Sequence, residues 1–208
     1  MMEKEKRSLR NKIEVRNSEN EDIGVIIGYA AVFDEESEDI GFGFTEVIDK
    51  KAFSNTDFSQ ARALFNHDPN YVLGSVKAGT LRLYVDNLGL KYEIDIPNSS
   101  TINDLVVEPI KRGDINQSSF AFTLRHESKE PYERWERGKD KDKRTLLDIA
   151  EVFDVSPVTY PAYRQTTVSA RSYDDFKKQQ NKLNTVIDQR QAHVEILLRS
   201  NKNKSYES

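Results

Sequence analysis

Cysteine is absent, which excludes a disulfide framework, a thiolate zinc site and a cysteine nucleophile together. Its absence also agrees with a reducing cytoplasm. Long apolar runs are missing too: none approaches the roughly 18 residues needed to span a bilayer, so no membrane partner is expected. The opening stretch MMEKEKRSLRNK has charges but no apolar core behind them, and it is not read as a signal peptide. Neither charge sign dominates. The net charge of −4 has no basic patch behind it, so nucleic acid is not an expected partner. There is no HExxH, no EF-hand loop and no glycine-rich phosphate cradle, and no cofactor or metal is expected. The G-x-S-x-G elbow is also missing, which argues against an α/β-hydrolase.

What remains is a polar chain of 208 residues, with 37% apolar and 32% charged residues, enough for one domain with appendages. Residues 1–22 are charged and read as an N-terminal arm, loose except for a short strand at Ile13–Val15. From Ile23, IGVIIGYAAVF is rich in β-branched and aromatic residues and reads as a strand, followed by an acidic, glycine-containing loop. Glu46–Phe58 has spacing compatible with one or two helical turns. ALF, YVLGSV, LRLYV and LKYEIDI, separated by turn signals, form a meander of short strands. A capped helix is expected over 98–112, ending at Gly113, and SSFAFTL is again a strand. Arg125 to Arg144 is almost wholly polar and reads as a solvated hairpin tip or mobile loop containing the isolated Trp135. Leu146–Val158 returns to strand-like sequence, and from Ser172 the apolar residues recur at helical spacing.

These elements predict a mainly β domain with some helix (α+β) over 23–171, and an amphipathic helix with a flexible tail over 172–208. A small closed antiparallel β-barrel flanked by helices is the expected architecture, because closure removes exposed edges.

Histidine is scarce enough to be informative, with only three in the chain. His126 and His193 read as solvent-facing. His67 follows the apolar ALFN and precedes the turn Asp68-Pro69, which puts its ring at the lip of a sheet. Chemistry alone leaves two readings for it, a partly buried structural histidine or a general base. Ser118 and Ser119 open a strand after a turn, where a hydroxyl can face a cleft.

The order IIGYAAVFD, EVIDKKAF, ALFNHDPNYVLGSVKAGTLRLYVDNLGLKYEIDIP, IKRGDINQSSFAFTL, DIAEVFDVSPVTYPAYRQT resembles the prohead protease family of HK97-like tailed phages, which is related to the herpesvirus assemblin fold. The resemblance covers roughly Ile23 to Arg171. It implies that His67, in the HD turn, is the catalytic base and that Ser119, directly before FAF, is the nucleophile in place of Ser118. Many relatives have glycine where this chain has Ala121.

The herpesvirus enzymes use a second histidine as the third member, and the strand DIAEVFDVS has none. Glu151, five residues before Ser156, is the expected carboxylate, with Asp154 and Asp148 as rivals. In a regular strand Asp148 and Asp154 share one face and Glu151 takes the other. Arg164 or backbone N–H groups of 159–164 are the expected oxyanion donors. The resemblance further implies a serine endopeptidase acting in the host cytoplasm inside the assembling prohead. Its partner there is the major capsid protein precursor or scaffold, with self-cleavage and scope for a homo-oligomer. Two rival readings are a non-catalytic capsid- or scaffold-associated protein with this fold, and a peptidase acting on host proteins.

Overall fold

The strand pattern organises three sheets around one apolar core. In the computed structural model, residues 4–9, 13–17, 24–37, 43–160 and 167–204 are described. The strands in chain order are β1 (Glu5–Leu9), β2 (Glu14–Asn17), β3 (Gly24–Val32), β4 (Phe44–Ile48), β5 (Arg62–Phe65) and β6 (Asp68–Ser75). They continue with β7 (Leu81–Val85), β8 (Gly89–Asp95), β9 (Gln117–Leu124), β10 (Glu133–Glu136), β11 (Asp142–Leu146) and β12 (Ile149–Val158). One sheet has the order β1-β9-β12-β5-β6, a second β2-β3-β8-β7, and a third β10-β11-β4.

The protein is therefore mainly β with a few helices, as expected, but the closed antiparallel barrel is not found. Among the described residues each sheet is open, and two of the pairings, β12 with β5 and β11 with β4, are parallel. The sheets bury their inner faces against each other instead. Ile26, Leu90, Tyr92, Ile94, Phe120, Phe122 and Val155 are all fully buried in one cluster. Phe120 and Phe122 stack at 4.8 Å between ring centroids, placing the aromatic bulk of β9 in that core.

Three local expectations change. Residues 5–9, placed in a loose arm, form a strand paired to β9, and the short strand expected at Ile13–Val15 is found at Glu14–Asn17, paired to β3. Glu46–Ile48 belongs to a strand, and the turns begin only at Lys50. Arg125 to Arg144 contains the hairpin β10–β11, whose inner side is not solvated. Arg144 is wholly buried, bonded to Glu5 (2.8 Å), Glu46 (3.0 Å) and Glu133, and Trp135 packs edge-on against Phe44 at 4.7 Å. Arg7 joins the same cluster through Glu5 and Glu46. Burial alone would lower the pKa of Arg144, but the carboxylates of Glu5 and Glu46 outweigh it and hold the guanidinium charged. Five ionic groups of opposite sign satisfy one another, which is the condition under which charge can be buried.

The helical segment is α1 (Ser100–Ile102), a π turn (Asn103–Val107) and α2 (Glu108–Arg112). Ser99 caps it, and Gly113 closes it with φ 87°. Pro109 cannot donate and its ring would crowd the carbonyl of Leu105 in an unbroken α-helix, so the wider turn before it removes that clash. Contacts divide the chain into residues 1–166 and 167–208. The second unit contains α3 (Thr167–Lys204), where Leu183, Val186 and Ile187 are exposed. No helix among the described residues is long and apolar enough to cross a membrane.

Candidate active site

Two adjacent strands and one hairpin turn build the site. β9 and β12 run antiparallel with Ser119 opposite Ser156, so the two hydroxyls lie side by side on one face. β5 and β6 are joined by a two-residue turn, Asn66-His67, flanked by the pair Phe65↔Asp68. Both turn residues have positive φ, 54° and 59°. A two-residue hairpin matches the twist of its strands when both central residues adopt this region, and asparagine and histidine tolerate it better than most side chains.

The turn is fastened to the end of β12. The Asn66 N–H donates to the Pro157 carbonyl at 3.0 Å, the Thr159 N–H donates to Asn66 Oδ1 at 2.8 Å, and Asn66 Nδ2 donates to Thr159 Oγ1 at 3.2 Å. This clamp fixes the backbone next to His67. The imidazole then spans both strands: Nε2 lies 2.6 Å from Ser119 Oγ, and Nδ1 lies 2.5 Å from Asp154 Oδ1. An ionised carboxylate can only accept, so Nδ1 carries the proton and Nε2 is left to accept from the serine hydroxyl. Ser156 Oγ donates to the same Asp154 oxygen at 2.8 Å and stands 3.3 Å from Nδ1, holding the carboxylate in place.

His67 and Ser119 are thus brought together, and the carboxylate that meets them is Asp154 rather than the expected Glu151. The expected parity fails because β12 is irregular. Its register shifts between Ile149 and Glu151 and again between Val152 and Asp154, so Glu151, Asp154 and Ser156 oppose Thr123, Ala121 and Ser119, three alternate positions of β9. Position along the strand, not face, therefore separates the two acids. Glu151 lies opposite Thr123, one alternate position further from Ser119 than Asp154, and it is Asp154 that bonds the ring. Asp148 is paired with Arg125 at 3.1 Å.

Ser118 has a different partner. Its Oγ bonds the buried Tyr92 hydroxyl at 2.8 Å, and burial raises the Tyr92 pKa so that the phenol stays protonated. Of the expected oxyanion donors, Arg164 and the N–H groups of 161–164 lie outside the described residues, and the Thr159 N–H is already committed to Asn66. His126 is exposed and packs edge-on against Tyr132, while the side chain of His193 lies outside the described residues. No group of three or more His, Cys, Asp or Glu that could hold a metal occurs among the described residues. Sequence reasoning missed the Asn66 clamp and the hydrogen bond from Ser156 to Asp154. The positive-φ preference of Asn-His between two strands was a usable signal for the first.

A hydroxyl, an imidazole and a carboxylate joined in line by two hydrogen bonds, on a mainly β scaffold, have the geometry of the serine-hydrolase site. The sequence model of the caudovirus prohead serine proteases matches residues 11–179, and the chain belongs to that family. No curated protein and no solved structure matches the chain.

Proposed function

We propose that the chain is the serine endopeptidase of prohead maturation, with Ser119 as nucleophile, His67 as general base and acid, and Asp154 as the orienting carboxylate. Nε2 takes the hydroxyl proton as Oγ attacks the scissile carbonyl, then gives it to the leaving amine. Asp154 keeps the ring in the required tautomer and stabilises the imidazolium, and Ser156 steadies Asp154. The single observation that carries this reading is the pair of distances on either side of one imidazole, 2.6 Å and 2.5 Å. The chain order histidine, serine, third group supports kinship with the herpesvirus assemblin fold, with an acid in place of the second histidine.

The substrate is the scaffolding region of the capsid precursor, cut inside the assembling prohead in the host cytoplasm, followed by the enzyme itself. Membership of the prohead protease family supports that setting. A serine-directed fluorophosphonate carried to completion tests the chemistry. Mass mapping should find one adduct, on Ser119, and none in Ser119→Ala. An adduct on Ser118 or Ser156, or one that survives Ser119→Ala, contradicts the assignment.

A further inference from the structure

β9, the strand of the nucleophile, has two neighbours, and only one of them supports the triad. β12 supplies Asp154 and Ser156. On the other side β1 pairs antiparallel along five positions, from Glu5↔Phe122 to Leu9↔Ser118, with Ser8 directly opposite Ser119. Without β1, β9 would be the edge of its sheet and would present unpaired N–H and C=O groups beside the nucleophile. Such an edge accepts an extended peptide by strand addition. An endopeptidase also requires its substrate to be held extended and in register with the attacking atom. Here the place is filled from within the chain.

The state of the nucleophile agrees with this. Ser119 is 0% exposed, and the His67 side chain is 6% exposed. Oγ is closed to an external carbonyl in this arrangement. β1 is anchored through Glu5 and Arg7, which enter the buried ionic cluster with Glu46 and Arg144. Lys4 adds an ammonium 3.7 Å from the Phe153 ring centre.

We propose that the β9 edge beside Ser119 is the docking site for an extended segment of the polypeptide substrate, and that residues 5–9 of this chain occupy it at rest. The proposal rests on the endopeptidase reading above. Replacing β1 by a substrate strand exchanges one ladder for another, so the free energy of exchange falls mainly on the ionic anchor. By mass action, a dense store of substrate favours the exchange, which ties activity to the crowded interior of a prohead.

The absence of native cysteine makes the test specific. Lys6 and Ala121 face each other across the β1–β9 ladder, and directly opposed residues lie within disulfide range. In the full chain, Lys6→Cys with Ala121→Cys should slow fluorophosphonate labelling of Ser119 by about tenfold or more when oxidised, in proportion to the open fraction lost. Reduction should restore the wild-type rate. Lys6→Pro, which disfavours the ladder, should label faster than wild type. Equal rates in a verified disulfide-locked form and its reduced form would overturn the docking proposal while leaving the protease reading intact. If neither wild type, reduced double variant nor Lys6→Pro showed labelling dependent on Ser119, the protease reading would fall, and this proposal with it.

Discussion

At the scale of single residues, the structure separates acids that the sequence leaves equivalent. Asp154 touches the ring, Asp148 is neutralised by Arg125, and Glu151 sits beside Thr123. Asp154→Asn should therefore lower kcat by about 10³–10⁴, because an amide there can hold the wrong imidazole tautomer. Glu151→Gln should leave turnover of the capsid precursor unchanged. Steady-state assays of both variants check this, and the reverse pattern would restore Glu151 as the third member. The distinction between these acids depends on two β-bulges, and bulges leave little trace in a local sequence pattern. Ser119 over Ser118 is similarly opaque, since Tyr92, which occupies Ser118, is 26 residues away in the chain. His67 was more legible. A lone histidine between an apolar strand and a turn already stands where a base is useful.

At the scale of elements, the β5–β6 hairpin does the positioning. Its turn holds two non-glycine residues at positive φ, a conformation that persists only when the surroundings enforce it. The Asn66 clamp onto Pro157 and Thr159 supplies that enforcement. Asn66→Ala should reduce kcat by about 10²-fold through a small displacement of the ring, with KM little changed. An unaltered kcat would mean that Asp154 and Ser156 orient the imidazole without the clamp. In the meander from 62 to 95, β7 and β8 were readable from period-two alternation, and β5 and β6 from short apolar runs between turn signals. The buried inner side of the β10–β11 hairpin was not. Its buried member, Arg144, is polar by type and is compensated by Glu46 and Glu5, 98 and 139 residues away, so composition alone signals solvent.

At the scale of the whole molecule, pattern reasoning correctly gave a mainly β domain with some helix and overstated closure. Alternation tells which face of a strand is buried; it does not tell whether the last strand meets the first. The open five-stranded sheet matters to the proposed function because its order places the strand of Ser119 between the strand of Asp154 and the N-terminal strand β1. Family membership sets the biological frame, and the triad geometry sets the chemistry within it. Co-expression with the capsid precursor tests the two together. The wild-type chain should cut the precursor's scaffolding region, and Ser119→Ala, folded to the same thermal stability, should leave it intact. A precursor still processed by Ser119→Ala would contradict the account.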